Sequence, residues 1–107
     1  MDLRARRAAD NEDLFRRVNE RVAELSGALD VLTLVCECAD AGCAERLPDI
    51  GAAEYERVRD HGDRFFVVSG HERPDVETVV EERGRYLVVE KRGEAGEVAR
   101  STDPRGG

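Results

Sequence analysis

The most constraining feature of the sequence is a cluster of cysteines in its first half. The chain of 107 residues has three cysteines, and all of them fall in the pattern Cys36-x-Cys38-x4-Cys43. Residues 30–35, just before them, are mostly apolar and β-branched, which predicts a strand that continues to Cys38. Side chains two apart in a strand share a face, and a turn at residues 39–42 returns the chain. We therefore expect three sulfur atoms to converge.

Three converging thiols are typical of a site for a soft metal, and zinc is the metal that we expect. Zinc binds thiolates at about 2.3 Å in tetrahedral sites, and the backbone N–H groups of a turn can hydrogen-bond to those thiolates. An iron–sulfur cluster is disfavoured because its usual ligand spacings are missing. A copper(I) carrier is disfavoured because Met1 is the only methionine.

Two other states of the cysteines compete with the metal site. A stable disulfide is disfavoured, because thiols in an i, i+2 pair do not bridge easily and an odd count leaves one over. A cytosolic setting also keeps thiols reduced. Free or redox-active thiols, with no metal bound, stay open as the second interpretation.

A tetrahedral zinc site needs a fourth ligand, and His71 is the favoured candidate. It directly follows the predicted strand 64–69 and Gly70, and the lack of a side chain at Gly70 lets the backbone approach the site closely. The other histidine, His61, lies at a predicted helix C-terminus, where the helix dipole stabilises an imidazolium. A water or substrate, His61, or an acid such as Asp40 remain the alternatives. The predicted metal site consists of Cys36, Cys38, Cys43 and His71.

Hydrophobic periodicity along the chain predicts an α+β fold. The predicted helices cover residues 11–26 and 49–60, with a terminal helical turn at 94–100. The predicted strands cover residues 30–38, 45–47, 64–69, 76–82 and 85–91. We expect an N-terminal helix packed on a small, mainly antiparallel sheet, with a zinc knuckle and a second short helix. Residues 1–10 are predicted to be a flexible lead-in, 11–100 a single zinc-binding domain and 101–107 a disordered tail.

The first predicted helix is amphipathic, and its pattern predicts its orientation. Asp10 is a suitable N-cap. The apolar side chains form one helical stripe, which consists of Leu14, Phe15, Val18, Val22 and Leu25. The opposite, polar face consists of Arg16, Arg17, Asn19, Glu20 and Glu24. We therefore expect the stripe to pack on the sheet and the polar face to lie in solvent.

The charge balance bears on possible partners. Acidic residues outnumber basic ones 24 to 17, and the net charge of −7 disfavours nonspecific binding of nucleic acid. Arg16, Arg17 and Arg21 are the weak argument for it, but the glutamates between them favour a salt-bridged helix surface. No apolar run approaches membrane-spanning length, and the N-terminal residues lack the apolar region of a signal peptide. We expect a cytoplasmic protein with neither a membrane nor a nucleic-acid partner.

Enzymatic activity is the less favoured interpretation, and the question stays open. Glu72 beside His71, or Glu37 between two cysteines, could act as a base on a zinc-bound water. However, the zinc motif H-E-x-x-H is absent, because no second histidine follows at the required position. Motifs for nucleotide binding and for a serine nucleophile are absent as well.

Several short motifs follow one another along the chain. They are Asn11 to Arg21, Cys36-Glu37-Cys38 with Cys43, Glu54-Tyr55-Glu56 with Val58-Arg59, Gly70-His71 with Pro74, and Tyr86 to Lys91. In this order they resemble an uncharacterised family of short proteins from high-GC bacteria, and the resemblance covers residues 11 to about 104. It implies that Cys36, Cys38, Cys43 and His71 act as one unit, and it implies no substrate.

The sequence thus predicts a small cytoplasmic protein that binds structural zinc and acts as a regulatory or adapter module. It would act through contacts with a protein partner, as a monomer or a small homo-oligomer. The second hypothesis is a thiol-based redox sensor that releases zinc on oxidation. The third is a small zinc-dependent hydrolase.

Overall fold

Three helices and two antiparallel sheets make up residues 1–106, the part of the chain that the computed structural model describes. The helices are α1 (Leu3–Ser26), α2 (Ala52–Arg59) and α3 (Gly93–Ser101). The strands are β1 (Val31–Val35), β2 (Arg46–Gly51), β3 (Arg64–Val68), β4 (Glu77–Glu82) and β5 (Tyr86–Lys91). β1 pairs with β2 in one sheet, and β5 lies between β3 and β4 in the other. The predicted α+β architecture is confirmed.

The three-stranded sheet is covered on both faces, which explains the continuous apolar runs of β3 and β5. Successive side chains alternate between the faces, so Phe66 packs on one side and Phe65 on the other. We call the first side the apolar face; its buried residues are Leu32, Leu34, Leu47, Ile50, Tyr55, Val58, Phe66 and Val88. We call the second side the cysteine face; its buried residues are Cys36, Cys38, Phe65, Val67, Leu87, Val89 and Ala99.

α1 packs on the protein with a face that is turned away from part of its predicted apolar stripe. Its buried residues are Ala8, Glu12, Arg16 and Asn19. Leu14 and Leu25 of the apolar stripe are exposed by 56% and 72%. The predicted orientation of this helix is therefore correct for Val22, which packs against the apolar face, and wrong for Leu14 and Leu25.

Polar contacts hold α1 in this orientation. The Nη1 atom of Arg16 donates to the carbonyl of Gly62 at 2.7 Å, and its Nη2 atom donates to the carbonyl of Ala99 at 3.0 Å. Asn19 both donates to the carbonyl of Val35 and accepts from its N–H, each at 2.8 Å. Since buried polar groups must be paired, these partners fix which side of the helix faces inward.

α1 also begins earlier than predicted, at Leu3. The side chain of Asp2 caps the helix by accepting a hydrogen bond from the N–H of Ala5 at 2.8 Å. Residues 3–10, which the sequence assigns to a lead-in, form the first turns of this helix instead, and Asp10 lies inside it.

The boundary between β2 and α2 also differs from the prediction. The helix predicted from residue 49 begins at Ala52, and the short return strand predicted at 45–47 extends to Gly51. Ile50 pairs with Leu32 of β1 and is fully buried. Burial of this side chain in the sheet outweighs the helix propensity of the segment.

The C-terminal segment packs against α1 and α2. Asp103 forms a buried ion pair with Arg59. Arg105 forms an ion pair with Glu20 of α1 at 2.6 Å. Charged contacts therefore hold much of residues 101–107, the predicted disordered tail, whose last residue lies outside the described part of the chain.

Candidate metal centre

A short knuckle between β1 and β2 carries the three cysteines. At its start, the N–H of Cys36 donates to the carbonyl of Glu45 at 3.0 Å. At its tip, the N–H of Cys43 donates to the carbonyl of Asp40 at 3.0 Å, and the N–H of Gly42 donates to Asp40 Oδ1 at 2.8 Å. These bonds close the predicted turn and direct the third cysteine back toward the first two.

The knuckle also lies along an edge of β3. The N–H of Glu37 donates to the carbonyl of Phe66 at 2.8 Å, and the N–H of Val68 donates to Cys36 Sγ at 3.2 Å. The chain therefore leaves the first sheet and joins the second within a few residues. For this reason Leu34 packs on the apolar face and Cys36 on the cysteine face, rather than sharing one face as predicted.

His71 completes a group of four ligand atoms. The sulfur atoms of Cys36, Cys38 and Cys43 and a ring nitrogen of His71 all lie within 4.8 Å of one another. The Nδ1 atom of His71 is 3.6 Å from Cys36 Sγ and 3.6 Å from Cys43 Sγ. A tetrahedral zinc with ordinary Zn–S and Zn–N bonds separates sulfur from nitrogen by about 3.5 Å. The observed distances match that spacing.

The turn after β3 positions His71. Its N–H donates to the carbonyl of Val68 at 2.9 Å, and Gly70 takes a φ of +96° that favours glycine. This turn directs the ring nitrogen Nδ1 at the sulfurs. The two alternatives named from the sequence, His61 and Asp40, lie outside the group of four.

One side of the centre is buried and the other is accessible. Cys36 and Cys38 are only 1% and 4% exposed, whereas Cys43 and His71 are half-buried. A cleft of about 270 Å³ opens beside Cys38 and His71 and is also lined by Arg73. A metal can therefore enter from this side, while the opposite side excludes water.

The thiols need a cation to be deprotonated together. Burial raises the pKa of the Cys36 thiol, and the neighbouring thiolates of Cys38 and Cys43 raise it further, although the N–H of Val68 opposes this effect. Burial likewise raises the pKa of the Cys38 thiol. A divalent cation offsets the repulsion among three thiolates and takes the place of their protons. The donor set of three sulfurs and one imidazole fits zinc.

Glu37, which lies between two of the cysteines, points away from them. It is fully buried, and it accepts hydrogen bonds from Asn19 Nδ2 at 2.8 Å and from the N–H of Phe66 at 2.9 Å. Burial raises the pKa of this carboxyl to about 7. Glu37 therefore braces the knuckle against α1 and β3, a role that the sequence does not indicate because both partners are distant in the chain. The other acid considered as a base, Glu72, accepts a hydrogen bond from the N–H of Gly70 at 2.8 Å.

Sequence reasoning also missed a second buried polar group on the cysteine face. Lys91, the only lysine of the chain, forms ion pairs with the carboxylates of Glu12 and Glu77. All three are buried beneath α1, and Phe65 lies under the ammonium, whose Nζ is 5.6 Å from the ring centroid. The sequence gives no local sign of this burial beyond the single occurrence of lysine, because Lys91 lies 79 residues from Glu12.

The arginines of α1 that could contact phosphates are buried or paired within the protein. Arg16, one of three arginines that could contact phosphates, is fully buried, and Arg17 and Arg21 form ion pairs with acids of α1. Within residues 1–106, no helix has both the length and the apolar character needed to cross a bilayer.

The chain was compared with known protein families, curated proteins and solved structures, and none of them matches it. The geometry of the metal centre is therefore the guide to function.

Proposed function

We propose that this protein is a small cytoplasmic zinc-binding module that acts as a regulatory or adapter protein through contacts with other proteins. One observation carries the zinc assignment: three sulfurs and the Nδ1 atom of His71 converge, with sulfur–nitrogen distances of 3.6 Å. In the reducing cytoplasm these thiols stay available to the metal.

A structural role for zinc is favoured over a catalytic one. Catalytic zinc sites keep a coordination position open for water or substrate, whereas structural sites are closed by four protein ligands. Here four side chains supply four donors. The two acids nearest the ligands in sequence, Glu37 and Glu72, already accept backbone hydrogen bonds.

The position of the centre supports this structural role. Cys36, Cys38 and Cys43 belong to the connection between the two strands of the first sheet, and His71 follows β3 of the second. Zinc bound by all four would link the two sheets directly. Structural zinc in small domains contributes an apparent binding free energy of about 10–16 kcal/mol near neutral pH.

The adapter role rests on exposed apolar surface. Leu14, Leu25 and Leu29 are each more than half exposed. Leu14 and Leu25 stand on one side of α1. Exposed apolar surface along one side of a helix is typical of a site for protein contacts.

Elemental analysis of protein purified without added metal tests the zinc assignment. We expect about one zinc per chain, by the four-ligand stoichiometry of structural sites. His71→Ala should lose or weaken zinc binding, whereas the matched control His61→Ala, at an exposed position outside the centre, should keep it. A metal-free protein that shows fewer than three free thiols after denaturation would contradict the proposal.

A redox sensor is the second candidate, and the accessible side of the centre favours it. Cys43 is only half-buried, and a cleft reaches Cys38. Hydrogen peroxide would take two electrons from two thiolates, which join as one disulfide, and with two protons it becomes two waters. Zinc would leave with the loss of two ligands. Zinc release by mild peroxide, reversed by a dithiol, supports this candidate, and zinc retained under the same treatment excludes it.

A further inference from the structure

α1 presents an apolar face to solvent and a polar face to the protein. Leu14, Val18 and Leu25 are exposed by 56%, 39% and 72%, although they stand on one side of the helix. The opposite side buries Glu12, Arg16 and Asn19. A helix with exposed leucines on a regular repeat is typical of a helix that packs against another helix.

The exposed residues follow a heptad-like spacing. We call this set the outer seam, and it consists of Arg7, Asp10, Leu14, Val18, Arg21 and Leu25. Successive members are three or four residues apart, so they line one side of a helix of 24 residues. The seam is apolar in its centre, with Arg7 and Asp10 on one side of the centre and Arg21 and Leu25 on the other.

We infer that this seam pairs antiparallel with the same seam of a second copy of the chain; the inference rests on the protein-contact part of the proposed function and names the partner of Leu14 and Leu25. A symmetric dimer places the same surface on both subunits, so each contact occurs twice. A two-fold axis near residue 16 puts Leu14 of one copy opposite Val18 of the other. These two contacts form the apolar centre of the interface.

The charges of the seam are complementary in this register. In this register the residue opposite Arg21 is Asn11, next to Asp10 of the other copy. Arg7 lies opposite Leu25 of the other copy and next to the residue opposite Glu24, which flanks the seam. All four charged side chains are exposed in the single chain. Their present partners are weak: Arg21 pairs with Glu24 on the helix surface at 3.1 Å, and Asp10 lies 4.0 Å from Arg6.

The same charges disfavour other occupants of the seam. In a parallel in-register pair, Asp10 and Arg21 would each face their own copy, and like charges repel. On a lipid surface the seam would bring Asp10 toward the acyl chains, which is costly for a carboxylate. An antiparallel second copy is the arrangement in which Asp10 and Arg21 of the seam meet as opposite charges, once at each end of the interface.

The first test is the oligomeric state of the zinc-loaded full chain by sedimentation velocity. A single helix pair is a small interface, so we expect a dimer with a dissociation constant in the micromolar range, resolved between about 1 and 500 µM. Leu14→Glu should raise that constant at least about tenfold, because it places a charge at the interface centre. The control Val80→Glu, at an exposed apolar residue of β4, should leave it unchanged.

Charge exchange tests the antiparallel register. Asp10→Arg alone and Arg21→Asp alone should each weaken the dimer, because each sets like charges against one another. The double variant restores opposite charges and should restore the dissociation constant. A chain that stays monomeric over the whole range overturns the inference, as does a dimer weakened equally by Val80→Glu. A monomer that binds anionic phospholipid vesicles overturns the inference in favour of a membrane surface. A double variant whose dimer is as weak as those of the single variants overturns the antiparallel register.

Discussion

On one face of the three-stranded sheet, Phe66 and Val88 pack against α2 and the β1–β2 pair, while on the other face Phe65 and Val89 lie among cysteines and charged groups. The apolar face buries leucine, isoleucine, valine and aromatic side chains. The cysteine face buries two thiols as well as the ion pairs of Lys91. The two sides of one sheet are thus filled by different chemistry.

This difference separates two kinds of stability in one small protein. The stabilisation that comes from buried apolar surface on the apolar face depends little on metal concentration or on pH. The cysteine face depends on groups that must be deprotonated, paired or bound to a cation. We therefore expect conditions and substitutions to act on the two faces separately.

The largest effect should come from removal of zinc. Treatment with a strong chelator should lower the free energy of unfolding by roughly 5 kcal/mol or more, since structural zinc contributes directly to folding. Amide exchange should rise first at Glu37 and Val68, whose N–H groups tie the knuckle to β3. Val58 on the apolar face should stay protected longer. Equal loss of amide protection on both faces would contradict the independent stability of the two faces.

The next effect should come from Lys91→Met on the cysteine face. This change leaves the carboxylates of Glu12 and Glu77 buried without their cation and should cost about 3–5 kcal/mol at pH 7. Burial raises the pKa of Glu12 and Lys91 opposes that rise, so without Lys91 the folded protein binds this proton still more tightly than the unfolded chain. Protonation of this group as the pH falls toward 5 therefore favours folding. Chemical denaturation of the original protein and the Lys91→Met variant measures their free energies of unfolding at pH 7 and pH 5. The difference between them should be smaller at pH 5, and an equal difference at both pH values would argue against this account.

A smaller effect is expected on the apolar face from Ile50→Val. Ile50 is fully buried, and the loss of one methylene should cost about 1 kcal/mol. Zinc content and the pH dependence of stability should not change. Val31→Ala, at a half-exposed position of the neighbouring strand, is the control and should cost less. Loss of zinc from the Ile50 variant would show that the faces are not independent.

The smallest effect should come from Glu81→Gln, at the sheet edge outside both faces. Hydrogen bonds from Arg57 lower the pKa of Glu81 to about 2. A lowered pKa in the folded state stabilises the protein above the ordinary carboxyl pKa and loses that effect as the pH falls toward 2. Because Arg57 is about half exposed, we expect a cost of at most about 0.5 kcal/mol at pH 7, reduced in high salt. Urea titration at two salt concentrations measures this loss of unfolding free energy. A loss as large as that expected for Lys91→Met would contradict the distinction between buried and surface ion pairs.

The sequence predicted the metal centre better than it predicted the packing of α1. The cysteines are close in the chain, and a histidine just after a strand is placed by local geometry, so the structure brings the predicted four residues together. The partners of Arg16 lie 46 and 83 residues away, at Gly62 and Ala99. A helical pattern records which residues are apolar, but it does not record distant polar partners. For the same reason Asn19 and Glu37 could not be paired from the sequence.

The inward polar face of α1 also determines when this helix can dock during folding. Arg16 needs the carbonyl of Ala99, and Glu12 needs Lys91, so the helix docks only after residues that are synthesised about 80 positions later. Until then its outer leucines and its inner charges are both in water. Contacts of such long sequence separation slow folding, and they make the docking of α1 a late event that follows synthesis of α3. The charged interior therefore ties the docking of α1 to the presence of β5 and α3.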